Sequence, residues 1–350
     1  MKKFRINMLS SATSVSGQGV GSAYMEQVAL VKENEDLFEI TENKRGDKFD
    51  IVHVHTVDPK YRIKMNKKHV NVIYVHFIPT TLDGSIRLPK LAFKIFKKYV
   101  ISTYKKADEI VVVNPCFKKP LMELGIAEDK ITYIPNYVSK EQFHPLEKDE
   151  IVKIKEKYGI PQDKFVVMGC GQVQTRKGVL DYVEVAKKMP DVQFVWAGGF
   201  SFGAITDGYE ELKKIMDNPP ANVKFLGIVP RDQMNDIFNA CDALFMPSFS
   251  ELFPMSILEA VNSSKPVVLR DLELYEDILF KKYEKGTNVD EWVEIFRKLI
   301  EDKKYYSKAQ ENSKYISEFY SKENVNKLWR EYYPRVYNKY LNNPKKKLQK

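Results

Sequence analysis

Apolar residues along the chain fall into short runs of strand length, separated by stretches in which they recur at helical spacing. The first run is Phe4 to Leu9. A glycine-rich stretch, Ser16-Gly17-Gln18-Gly19-Val20-Gly21, follows it, and a helical pattern covers Ser22 to Lys32. Further runs lie at Ile51–His55, Val70–His76, Glu109–Val113 and Lys130–Ile134. A second series occupies Phe165–Cys170, Gln193–Ala197, Val223–Leu226, Ala243–Met246 and Pro266–Leu269. Strands alternating with helices predict parallel sheets of the α/β class. The segment Phe143–Lys153 is polar, charged and contains Pro145, so it reads as a linker. Two domains are therefore expected, residues 1–147 and 148–325. From Glu291 onward the pattern is helical and rich in Lys and Tyr. Residues 326–350 are expected to form a helix that returns to the first domain, with Pro344-Lys345-Lys346-Lys347 as a frayed tail.

Composition narrows the class. In 350 residues, 43% are hydrophobic and 29% charged, which suits two globular domains and excludes disorder. The net charge of +9 favours anionic partners: nucleotide phosphates, acidic lipid headgroups or nucleic acid. No signature of RNA or DNA binding accompanies that charge, so nucleic acid is not expected as a partner. The three cysteines, Cys116, Cys170 and Cys241, form no CxxC pair, so neither zinc nor a disulfide framework is indicated and a reducing compartment fits. Neither a signal-peptide core nor an apolar stretch approaching about 20 residues is present.

In open parallel sheets ligands bind at the carboxyl ends of the strands. The loop after Met246-Pro247 carries Glu251, and Glu259 follows about two helical turns later, with Leu252 and Phe253 between them. The first carboxylate is placed to meet sugar hydroxyls. The second can accept both hydroxyls of a ribose. An acidic first helical turn plus a solvated glutamate would give the same spacing. After Phe165–Cys170 the loop Gly171-Gln172-Val173-Gln174-Thr175-Arg176-Lys177-Gly178 gathers backbone amides and basic side chains at one point, which suits a diphosphate. An ordinary turn with solvated cations is the plain alternative. The stretch Gly17-Gln18-Gly19-Val20-Gly21 lacks GxGxxG spacing, so it is not read as a dinucleotide fingerprint, although its glycines allow close backbone approach. His76 ends one strand run; His55 ends another, with His53 alternating behind it on a half-buried strand. Histidines so placed are more often structural than catalytic. Gly198 and Gly199 follow another strand and read as packing positions.

Glu251-x7-Glu259 resembles the EX7E motif of GT4-type retaining glycosyltransferases. Its flanks agree: Val223-Lys224-Phe225-Leu226-Gly227, Ala240-Cys241-Asp242 leading to Met246-Pro247-Ser248, and Lys265-Pro266-Val267-Val268. Ile134-Pro135-Asn136 with Phe143 and Pro145 resembles the family's interdomain hinge, with Tyr137 and Ser139 in place of its Gly and Asp. The resemblance implies a GT-B fold, two Rossmann-like domains facing each other across a cleft. It implies Glu251 at the donor sugar, Glu259 at the ribose, Lys177 at the leaving diphosphate and His76 facing the sugar. It places Gly19, Gly227, Leu252 and Phe253 near the donor. Gln172 stands where the family has an arginine, and Arg176 is a shifted source of that charge. No DxD motif follows a strand, so the expected reaction needs no metal or other cofactor, and the UDP-sugar is a co-substrate.

The segment Arg87–Val100 places Leu88, Leu91, Ala92, Ile95 and Tyr99 on one helical side, with Phe93, Phe96 and Val100 extending the arc. Lys90, Lys94, Lys97 and Lys98 form the other side. Such a helix can lie in an anionic bilayer interface or pack its apolar side on the domain core. The opening, Ile6–Tyr24, and Gln172 resemble bacterial glycolipid synthases that add a second hexose to monoglucosyl-diacylglycerol. That resemblance implies a UDP-hexose donor, galactose favoured over glucose, a glycolipid acceptor and a peripheral position on the cytoplasmic face of the membrane. A capsule or cell-wall polysaccharide acceptor is the alternative within the same family.

Overall fold

The computed structural model describes residues 3–12, 19–46, 48–79, 89–200, 203 and 206–348. Contacts divide it into two units. The first holds the described residues up to Tyr137 together with those from Tyr320 onward, and the second runs from Val138 to Phe319.

In the first unit, strands β1 (Phe4–Leu9), β2 (Phe38–Glu42), β3 (Ile51–Val54), β4 (Val70–Val75), β5 (Glu109–Val112) and β6 (Ile131–Tyr133) form one parallel sheet in the order β2-β1-β3-β4-β5-β6. Every residue of β3, β4 and β5 is buried, as expected for central strands covered on both faces. His53 is therefore fully enclosed, not half-buried. Edge strand β2 was not anticipated. Its sequence, Phe-Glu-Ile-Thr-Glu, buries only Phe38 and carries too little apolar signal to read as a strand. Helices α1 (Gly19–Lys32), α2 (Pro59–Lys64), α3 (Lys90–Lys106) and α4 (Lys118–Glu123) connect the strands.

The expected linker is not one. Phe143 is fully buried against Phe238, and helix α5 (Lys148–Tyr158) starts where the charge run suggested a loop. Glu147 and Glu150 cap its first turn reciprocally, and Gly159 ends it in a left-handed conformation (φ 59°). The second sheet joins β7 (Val166–Cys170), β8 (Gln193–Ala197), β9 (Val223–Gly227), β10 (Ala243–Met246), β11 (Val267–Arg270) and β12 (Glu284–Gly286), all parallel, in the order β12-β11-β10-β7-β8-β9. Around it lie α6 (Val179–Lys188), α7 (Tyr209–Asp217), α8 (Met234–Ala240), α9 (Met255–Asn262), α10 (Glu273–Leu279), α11 (Val289–Glu301) and α12 (Lys303–Phe319). Its core centres on Tyr182, Phe194, Trp196, Phe245, Trp292 and Phe296.

Helix α13 (Lys322–Leu341) then joins the first unit. Trp329, Tyr332, Tyr333, Val336 and Tyr340 are buried there. The tail beyond it is tethered, contrary to expectation. Lys346 pairs with Asp108 and donates to the His69 carbonyl at 2.9 Å, and the Lys347 amide donates to the Lys67 carbonyl at 2.8 Å.

Candidate active site

The second unit brings the two predicted donor loops into contact. Strand β7 leads into Gly171–Gln174 and a short turn, Thr175–Lys177, before α6. Gly178 joins turn to helix at φ 68°, and a β-carbon there would overlap the Pro247 carbonyl. That close approach seats the loop after β10 on the loop after β7. The Phe249 amide donates to the Arg176 carbonyl at 2.9 Å, and the Arg176 guanidinium donates to the Ser250 carbonyl.

Glu251 is thereby held among cations. Lys177 Nζ lies 2.5 Å from its Oε1, and Arg176 lies 3.8 Å from Oε2. Burial pushes the Glu251 carboxyl up, but the charges of Lys177 and Arg176 outweigh burial and hold it below the usual carboxylate range. Gln172 contributes no charge; it is half-buried and its Oε1 accepts from Gln174 at 3.3 Å. Cys170, at the end of β7, is an inert thiol: burial first, then Glu259, push it up to about 12.

Glu259 sits inside α9 and is buried. Its partner is Arg231, from the short turn after β9. Sequence reasoning missed Arg231. The pair spans 28 positions with no periodicity to mark it. Phe253 is buried and Leu252 half-buried in the segment leading into α9. Gly227 adopts φ 71°, its carbonyl accepts from the Gly198 amide at 2.7 Å, and no described atom lies within 4 Å of where its β-carbon would stand. Gly198 packs on the Gly171 carbonyl, as a packing position should.

In the first unit, His55 and His76 stand just past β3 and β4, at the carboxyl ends of neighbouring strands, with ring centroids 5.8 Å apart. His53 lies 4.4 Å from His55 and its Nδ1 is 2.8 Å from the Tyr333 hydroxyl. Burial lowers all three: His53 to about 3, His76 to about 4, and His55 well below its ordinary value. All are neutral at physiological pH. The Nε2 of His76 and both ring nitrogens of His55 have no hydrogen-bond partner among the described residues. Gly19 opens α1 and is exposed, whereas Ser16, Gly17 and Gln18 lie outside the described residues.

Helix α3 starts at Lys90, so Arg87 and Leu88 of the predicted amphipathic segment lie outside the described residues. Leu91 and Ile95 are 72% and 61% exposed. Ala92, Lys94 and Lys98 are exposed too, while Phe93, Phe96, Lys97 and Tyr99 are half-buried. Lys97 lies 4.6 Å above the Phe93 ring. The apolar side of the first turns thus faces outward, and only from Val100 onward does the helix bury residues in the core. Among the described residues no helix is long and apolar enough to cross a membrane.

Two Rossmann-like units, with a cation-flanked carboxylate where β7 and β10 end, define a glycosyltransferase of the GT-B class. Glycosyl transferases group 1 matches residues 150–315, and Glycosyltransferase Family 4 matches residues 34–142. The chain belongs to this family. It is 43% identical over 336 residues to the alpha-galactosylglucosyldiacylglycerol synthase of Streptococcus pneumoniae, covering 95% of this chain and 90% of that one. It is 27% identical to the processive diacylglycerol alpha-glucosyltransferase of Acholeplasma laidlawii, over 73% of this chain and 76% of the relative. An Anabaena protein solved with UDP and glucose shares the fold at TM-score 0.74 and 17% identity, over 94% of this chain and 98% of that one.

Proposed function

We propose that the chain transfers a hexose, galactose favoured over glucose, from its UDP-sugar to monoglucosyl-diacylglycerol, giving a diglycosyl-diacylglycerol. The observation that carries this reading is the 43% identity, across 95% of the chain, to the Streptococcus pneumoniae synthase. The site is consistent with it. Lys177 and Arg176 lie beside the start of α6, and on this reading they meet the departing diphosphate. On this reading the diphosphate takes over Lys177 as Glu251 turns to the sugar hydroxyls, and Glu259 receives the ribose. The neutral His76 imidazole can exchange a hydrogen bond with the sugar.

The reaction is read as retaining and metal-independent. The bond from the anomeric carbon to the phosphate oxygen breaks, and the acceptor oxygen bonds to that carbon on the same face. The acceptor proton passes to the departing phosphate oxygen, so no separate base is required. Protein cations meet the developing charge in place of a metal.

The acceptor is a lipid, and the first unit offers a surface suited to an anionic bilayer on the cytoplasmic side. Helices α2 and α3 contain no acidic residue. They adjoin: Tyr99 donates to the Val57 carbonyl at 2.8 Å and Arg62 to Ser102 at 3.2 Å. On α2, Ile63 is 77% exposed between Arg62 and Lys64, and on α3 Leu91 and Ile95 are exposed among lysines.

The test offers the protein UDP-galactose and UDP-glucose with monoglucosyl-diacylglycerol in anionic vesicles, with chelator present. The expected result is a hexose-sized mass gain on the lipid from one donor. No gain with either donor, while UDP still binds, overturns the lipid acceptor.

A further inference from the structure

We propose that Arg231 is a positioning residue that holds the Glu259 carboxylate in the orientation needed to read a ribose; this rests on the donor-site reading above. Both ribose hydroxyls can donate to a carboxylate only if its two oxygens are fixed edge-on to them. Glu259 is 5% exposed, and a buried carboxylate without an opposite charge protonates or swings toward water. Arg231 Nη1 pairs with Glu259 Oε1, which fixes the carboxylate's rotation.

Arg231 is braced by a buried ring whose segment is tied to the following helix. Pro230 opens its turn with φ −56°. Its guanidinium lies 5.1 Å above the ring of Phe143, which is fully buried. The segment that carries Phe143 is strapped to α8, the helix that follows Arg231. Asn235 accepts from the His144 amide at 3.1 Å, and Asn239 accepts from the Leu146 amide at 2.9 Å. The guanidinium thus lies between the Phe143 ring, which the 143–146 strap ties to α8, and Glu259 on α9. A pair that only stabilised the fold would contribute equally to every nucleotide. A positioning pair contributes only when the ribose hydroxyls are present.

Calorimetric titration with UDP and 2′-deoxy-UDP separates the two. Wild type is expected to prefer UDP by about ten-fold, the size of one hydrogen bond to a charged group. Glu259→Gln should lose most of that preference. Arg231→Met should lose it as well, with 2′-deoxy-UDP binding little changed, and Arg231→Lys should recover part of it. An Arg231→Met protein that keeps the wild-type preference overturns the positioning role and leaves the donor site standing. Should Arg231→Met fail to fold, Arg231→Lys and Arg231→Gln carry the test: full wild-type preference in both overturns it. A wild-type protein that does not distinguish the two nucleotides, or a Glu259→Gln protein that still does, removes the ribose role of Glu259 and the proposal with it.

Discussion

At the scale of single residues the proposed donor site is a set of paired opposite charges. Half-buried Lys177 and buried Glu251 face each other at 2.5 Å. Removing one leaves the other charged and alone, which costs roughly 3–5 kcal/mol. Lys177→Met should therefore lower both the melting temperature and kcat, the latter by about 100-fold or more. Lys177→Met combined with Glu251→Gln should recover much of the stability and none of the turnover, as thermal melts beside lipid-product assays will show. The histidines give a pH prediction. His53, His55 and His76 have folded values far below the ordinary 6.5, so below that pH the unfolded chain binds protons that the folded one refuses. Stability is full above pH 6.5 and falls on acidification, by roughly 2 kcal/mol per imidazole at about pH 5. Denaturant melts between those limits should show it, and His53→Phe should flatten the slope. The glutamates and Lys177 were legible because a local spacing marks them. Arg231 was not, since its meaning lies in a partner on another element.

At the scale of elements, α3 divides in two. Its second half, with Val100, Thr103 and Tyr104, is a core helix; its first half turns Leu91, Ala92 and Ile95 outward. Periodicity predicted the helix and its apolar arc, but one arc serves a core or a bilayer equally well. Leu91→Glu with Ile95→Glu should abolish sedimentation with anionic vesicles while leaving the melting temperature within a degree or two, because neither side chain is packed. Unchanged vesicle binding would remove this helix from the membrane reading. The elements that sequence reasoning missed are those with weak apolar signals. β2 and β12 are short edge strands carrying glutamates. The start of α5 hid in a charge run, although Glu147 and Glu150 at capping-box spacing were there to be read.

For the whole molecule, the first unit is assembled from distant parts of the chain. Trp329 of α13 stacks on Tyr333 and lies 5.6 Å from His53 and 5.7 Å from Tyr74, both on the first sheet. Trp329→Ala should destabilise that unit by about 3–5 kcal/mol. Calorimetry should show one transition moving down while the UDP-stabilised transition of the second unit stays in place. Because α13 follows the entire stretch Val138–Phe319, vectorial synthesis delivers it only after the second unit has left the ribosome. The nascent first sheet therefore waits, with the surface meant for Trp329, Tyr333 and Val336 uncovered, until the chain returns to close it. During that interval its apolar surface is open to misassociation, and a chain cut short before Lys322 would carry a complete second unit beside a first that never matures.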